Sequence, residues 1–137
     1  MKFNQLIPVY GDQSFRGKCP VEDVEHINLV SWIRFNHPTI GSILIHPKNE
    51  GRRSPQQINK ERKLGLKKGA SDIIIPASIS FVCEIKRQDH TKCKWQPGQQ
   101  DYLLDSQFMG AFVCIALGAE AAKEAFNDWL KLLDRPE

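Results

Sequence analysis

Residues 69–88, GASDIIIPASISFVCEIKRQ, constrain the fold more than any other stretch of the chain. Two apolar runs, DIIIP and SFVCEIK, flank a short segment with the composition of a turn, which predicts two β-strands joined as a hairpin. Both runs are apolar at consecutive positions, the pattern of strands covered on both faces, where charge is seldom tolerated. Yet Asp72 opens the first run, and Glu84 and Lys86 sit two residues apart in the second. Side chains alternate along a strand, so Glu84 and Lys86 project from one face and Ile85 from the other. If the two strands pair, Asp72 comes to lie beside Glu84, and two carboxylates and an ammonium share one small volume.

Two carboxylates held together repel, and one takes up a proton. A divalent cation removes that conflict. Magnesium accepts oxygen ligands at ~2.1 Å and commonly uses one or two carboxylates together with waters and phosphate oxygens. Asp72 and Glu84 would be ligands, and the carbonyl of Ile85 a further one. Lys86 would then face the attacking water or the scissile phosphate and stabilise developing negative charge. The bland alternative makes Asp72 a strand cap, with Glu84 and Lys86 a same-face ion pair on an edge strand.

The remaining pattern fits one α/β domain of 137 residues. Residues 1–20 are irregular, broken by Pro8, Gly11, Gly17 and Pro20. In VEDVEHINLVSWIRFN, Val21, Val24, Ile27 or Leu29, Trp32 and Ile33 fall near helical spacing, and Pro38 follows the end. SILIHP reads as a short strand stopped by Pro47. SPQQINKERKLGL predicts a helix with Ser54 as N-cap and Pro55 at its first position. A polar loop over 88–96, a helix from about Pro97 to Gly110, a strand AFVCIAL and a final helix complete the order α-β-α-β-β-α-β-α. The last helix carries Ala122, Phe126, Trp129 and Leu130 or Leu133 on one side. This order describes a mixed sheet flanked by helices, with 21–137 as the folded domain.

No apolar run approaches the ~18 residues of a membrane span, and the first residues lack the pattern of a signal peptide. A cytoplasmic protein is expected, and Cys19, Cys83, Cys93 and Cys114 fit reduced thiols with no C-x-x-C pair for zinc. Cys93 near His90 makes too small a ligand set to argue from. Net charge is +3, but its placement is uneven. Lys48, Arg52, Arg53, Lys60, Arg62, Lys63, Lys67 and Lys68 face only Glu50 and Glu61 within 48–68. This block reads either as an anion-facing surface or as a solvated helix face.

An Asp, a hairpin-length gap and Glu-x-Lys together resemble the PD-(D/E)XK nuclease superfamily, with Ser71-Asp72 standing where that pattern has Pro-Asp. The wider set HPKNEG (46–51), KLGLKKGASDIIIP (63–76), CEIKR (83–87) and PGQQDYLLDSQFMGAFVCIALGAEAA (97–122) resembles the virus-type replication-repair nuclease (VRR-NUC) domain. The resemblance runs from about Glu25 to the final helix. It implies a restriction-endonuclease-like α/β fold, magnesium as cofactor with manganese able to substitute, and DNA as substrate. Asp72 and Glu84 would hold the metal and Lys86 would be the catalytic lysine. The family also uses a glutamate of its first helix, for which Glu25 is the match and Glu22 the competitor. Glu50 would lie near the metal, or else be a turn residue before Gly51. Gln99 matches a glutamine that opens the helix after the Glu-x-Lys strand, and Gln100 can take the same place. Gly65 and Gly69 fit an LGxxxG turn, where glycine allows positive φ and close backbone approach. Lys60, Arg62, Lys63, Lys67, Lys68, Arg52 and Arg53 would contact DNA. Trp95 would stack on a base, or pack on its own domain, and His46 before Pro47 reads as structural. Stand-alone members are similar to small phage proteins that form homodimers and resolve four-way junctions in recombination and repair. The alternatives are a flap or nicking nuclease and a non-catalytic DNA-binding protein on the same fold. The apolar residues of the irregular start, Phe3, Leu6, Ile7, Val9, Tyr10 and Phe15, would form a dimer surface or pack across their own domain.

Overall fold

The computed structural model describes residues 1–47 and 53–133. Among the described residues the elements are β1 (Val9–Tyr10), α1 (Glu22–Asn36), α2 (Pro38–Ile43), α3 (Pro55–Lys63), β2 (Ile73–Ile75), β3 (Phe81–Lys86), α4 (Gln99–Phe108), β4 (Phe112–Leu117) and α5 (Ala119–Leu132), with a 3-10 turn at His90–Lys92. The strands form one mixed sheet in the order β1-β4-β3-β2. β2 and β3 pair antiparallel, as the hairpin predicts, with Ile73 opposite Cys83 and Ile75 opposite Phe81. β3 and β4 pair parallel through α4, and β1 adds parallel to β4.

Strand alternation sorts the core into two layers. Phe81, Cys83 and Ile85 of β3, with Ile73 and Ile75 of β2 and Cys114 and Ala116 of β4, meet Leu29 and Ile33 of α1 and Ala122, Ala125, Phe126 and Trp129 of α5. On the opposite face Val82, Val113, Ile115 and Leu117 meet Leu103 of α4 and Ile7. Every residue of β3 is buried, including Glu84 and Lys86. Their even positions put both on the α4 face of the sheet.

Local signals account for several boundaries. Ser54 and Gln57 form a reciprocal capping box at the start of α3, with Pro55 at the first turn. In α5 the buried stripe of Ala122, Phe126 and Trp129 follows the expected spacing, and the Trp129 indole donates to the Ile79 carbonyl at 2.7 Å.

Three expectations are corrected. SILIHP is not a strand: its first residues end α2, and only Ile45 makes a single bridge to Ile74. Pro38 does more than end α1. It occupies the first position of α2, where its missing N–H is no loss, and α2 buries Ile40. Second, α1 turns a different face inward. Val24 and Ile27 are 53% and 64% exposed, while Glu25, Leu29 and Ile33, spaced four apart, are buried. Third, the start of the chain is not wholly irregular. Val9 and Tyr10 form the edge strand β1, Ile7 is buried, and Phe3 and Val9 pack beside it on their own domain, while Leu6 stays exposed.

Candidate active site

The hairpin register carries Asp72 to the position across from Glu84, one residue beyond the Ile73–Cys83 pair. The Asp72 carboxylate is fixed there by the backbone of β3: Ile85 N–H donates to Asp72 Oδ2 at 2.8 Å. In an antiparallel ladder a residue sends its N–H and C=O to the same edge, so the Ile85 carbonyl faces that edge too. Asp72, Glu84 and Lys86 line one cavity of about 750 Å³, together with Glu22, His46, Lys68, Gln99 and residues of the 92–97 loop.

Glu84 and Lys86 are 1% and 2% exposed, so their environment is made by protein. α4 supplies the connection. Gln99, in its first turn, donates from Nε2 to Glu84 Oε1 at 3.1 Å and accepts at Oε1 from Lys86 Nζ at 3.1 Å. The same Oε1 accepts from Gln96 N–H at 2.8 Å, which fixes the orientation of the amide. Lys86 Nζ also donates to the Lys94 carbonyl at 3.2 Å and lies 5.5 Å from the centre of the Trp95 ring. Glu84 and Lys86 are themselves 3.9 Å apart, so the amide rather than a tight ion pair spaces them.

Burial pushes the Glu84 carboxyl well above the usual carboxylate range, the Asp72 charge adds to this, and Lys86 opposes it. Its Oε2 has no hydrogen-bond partner. A buried carboxylate oxygen without a donor, a second carboxylate beside it and a backbone carbonyl on the same edge make an all-oxygen donor set. That set fits a magnesium-class cation held by Asp72, Glu84 and Ile85.

The structure places the members of two pairs that the sequence left as alternatives. Glu22, not Glu25, lines the cavity. Glu25 is buried elsewhere, where it accepts from Gln88 Nε2 at 3.2 Å and crowds Gly118 at the start of α5. A carboxylate is favourable at a helix N-terminus, so Glu25 has a structural partner there. A Cβ on Gly118 would meet Glu25 Oε2, and Gly118 has φ +96°. Gln99 lines the cavity, whereas Gln100 faces a separate hollow with Asn4 and Trp95.

Of the basic block, Lys68 lines the cavity and Lys67 adjoins it. Lys60, Arg62 and Lys63 are exposed on α3, which buries no residue. Arg53 is paired with Glu61. Glu50 and Arg52 lie outside the described residues. Trp95 packs on its own domain and donates from its indole to the Lys2 carbonyl at 2.8 Å. Cys93 and His90 do not form a ligand pair: the His90 ring nitrogens lie at the Gln13 carbonyl and the N-terminal amine.

Gly69 is needed for a different reason. It has φ +84°, and an added Cβ would stand 2.6 Å from the Gly98 carbonyl carbon. The turn after α3 therefore touches the backbone that starts α4, and this contact closes one rim of the cavity.

Two histidines were not anticipated as site residues. His46 contacts the Asp72 carbonyl through Nδ1 at 2.7 Å, and the His26 ring meets the His46 ring edge-on at 4.5 Å between centres. Burial draws the His26 imidazole below its ordinary pKa.

No protein-family model matches the chain, and no curated protein matches it. Among solved structures, one described as "VRR_NUC domain protein" is similar, with a TM-score of 0.69, 18% identity, and coverage of 85% of this chain and 93% of that one. The chain therefore has the VRR-NUC fold, a four-stranded mixed sheet flanked by helices.

Proposed function

We propose that this chain is a magnesium-dependent, structure-specific DNA endonuclease that hydrolyses phosphodiester bonds in branched DNA, with the four-way junction as its substrate. The observation that carries the reading is the convergence of Asp72, Glu84, Lys86 and Gln99 on one cavity beside Lys68. The likeness in fold to a VRR_NUC domain protein supports the nuclease class.

A divalent cation at Asp72 and Glu84 would supply Lewis-acid polarisation of the phosphate and a lowered pKa for bound water. The protein's own groups do the rest. Lys86 holds a fixed positive charge in a buried setting, where it acts more strongly on a developing phosphorane oxyanion than it would in water. Gln99 bridges Glu84 and Lys86 and leaves the buried Glu84 Oε2 without a hydrogen-bond partner. Lys67 and Lys68 draw the phosphate backbone to the rim, and α3 extends the positive surface with Lys60, Arg62 and Lys63. A four-way junction has approximate two-fold symmetry, and paired cuts in opposing strands require two sites, which a homodimer supplies. The cytoplasm of a bacterial or phage-infected cell would hold such a substrate. Among the described residues, no helix is long and apolar enough to cross a membrane.

A cleavage panel tests this reading: a four-way junction, a flap and plain duplex, each with magnesium, with manganese and with chelator. Metal-dependent paired cuts in the junction, together with sedimentation as a dimer, are expected. Cutting confined to the flap by a monomer would replace the junction reading with a repair-flap nuclease. Tight DNA binding without cleavage under any metal would replace it with a binding protein.

A further inference from the structure

Asp72 has a second set of neighbours besides Glu84 and Ile85, and one of them, His46, lines the same cavity. One ring nitrogen each from His26 and His46 and one Asp72 carboxylate oxygen all lie within 4.8 Å of one another. The three come from different parts of the fold: α1, the stretch after α2, and the residue just before β2. His46 is further constrained. Its Nδ1 sits 2.7 Å from the Asp72 backbone carbonyl. A carbonyl can only accept, so Nδ1 carries the proton and Nε2 keeps its lone pair. Metal-binding histidines are typically held in this way, one ring N–H on a backbone carbonyl and the other nitrogen free to ligate.

We propose that His26, His46 and Asp72 form a second metal site, which takes a nitrogen-preferring divalent transition cation such as zinc. Two imidazoles and a carboxylate suit zinc-class ions far better than magnesium, which demands oxygen. Three protein ligands also leave an open coordination position, and His46 and Asp72 are both reachable from solvent. For tetrahedral zinc at ~2.0–2.1 Å from its ligands, donor atoms lie roughly 3.3–3.4 Å apart. The three side chains would therefore close in on the ion by about an ångström, a movement within rotamer adjustment for the exposed His46. Because Asp72 belongs to both sites, occupancy of one changes the affinity of the other, and the linkage is reciprocal. The site does not depend on the cleavage reading, since its three residues would bind zinc whether or not the chain cuts DNA.

The test is equilibrium binding to the metal-free full chain, without DNA. Zinc is titrated by calorimetry, and cobalt is titrated as a coloured substitute whose visible absorption reports nitrogen ligation. One zinc per chain is expected, with shifts of the His26 and His46 imidazole resonances on binding. His46→Ala, at an exposed position, should weaken zinc by at least the ~10–100-fold seen for changes one shell further out. Glu84→Gln should keep the imidazole shifts and the cobalt spectrum while abolishing cleavage, which separates this site from the nuclease reading. Zinc affinity unchanged in both His46→Ala and His26→Gln would overturn the proposal. So would imidazole resonances of the wild-type chain that do not move when zinc binds, a result that stands even if His26→Gln fails to fold.

Discussion

The floor of the cavity and the arm beside it are built on opposite terms. On the β2–β3 hairpin, Glu84 and Lys86 are buried in a strand covered on both faces, and apart from Glu84 Oε2 their polar atoms are held by named partners. On α3, about 13.5 Å of helix carries Lys60, Arg62 and Lys63 with no buried residue at all. Charge in the first region is position-specific and only weakly screened by salt. Charge in the second is solvated, and its effect falls with ionic strength. Under the function proposed above, chemistry would belong to the floor and non-specific backbone attraction to the arm.

The strongest way to break this division is to remove a ligand. Asp72→Ala or Glu84→Ala should lower cleavage by at least about 10³-fold with junction binding largely kept, measured by single-turnover cleavage and a binding assay. Wild-type rates in either variant would remove the active-site assignment. Next, Lys86→Ala should lose roughly 10²–10³-fold in rate while calorimetry still detects magnesium or manganese. If cleavage persists, Lys86 is only an ion-pair partner of Glu84.

A smaller loss tests the link between floor and helix. Gln99→Ala should cut the rate by about 10–100-fold through mispositioned Glu84 and Lys86, leaving DNA affinity near wild type. A change in affinity alone would make Gln99 a substrate contact. On the arm, replacing Lys67 and Lys68 by Ala should weaken every DNA substrate alike and flatten the log–log salt dependence by about 0.9 per lost duplex contact. An unaltered slope would route the DNA away from this rim.

The smallest effect concerns stability in chelator. Burial first, then Asp72, raises the folded-state pKa of Glu84, so the folded chain keeps a proton that the unfolded chain releases above about pH 4.3. Stability then falls as pH rises from that value through the raised folded pKa. Glu84→Gln removes this slope. Its melting temperature should exceed that of the wild type by about 2–4 °C at neutral pH for each kcal/mol relieved, and the gap should close in acid. A variant less stable than the wild type at neutral pH would show that the Glu84 charge is already compensated.

The hairpin was legible because it is local. The two strands are close in sequence, alternation sets the facing side chains, and one register brings Asp72 to Glu84. The family resemblance pointed to Gln99 with Gln100 left open, and it is Gln99 that contacts Glu84 and Lys86. The choice between Glu22 and Glu25 was not legible, because it depends on how α1 rolls against the sheet. The apolar residues misled there: Val24 and Ile27 face out, and Glu25 takes a buried position that sequence pattern assigns to an apolar side chain. His46 was read only against Pro47, and its partner His26 sits in another element, so nothing in sequence spacing joins them. SILIHP has the composition of a strand, but Pro38 at a helix first turn and the burial of Ile40 outweighed it.

The sheet's two outer strands are much shorter than its inner ones. β1 has two residues and β2 three, against six each in β3 and β4. Pro8 lies just before β1 and Pro76 just after β2, and neither can donate to a neighbouring ladder. Ile45 already occupies part of the outer side of β2. The strands rich in isoleucine, valine and phenylalanine are thus kept from the edges, where they would template another chain. Self-association by extending the sheet is disfavoured, and so is the fibrillar stacking such sequences invite. A paired assembly would then form through side-chain surfaces and not by strand addition.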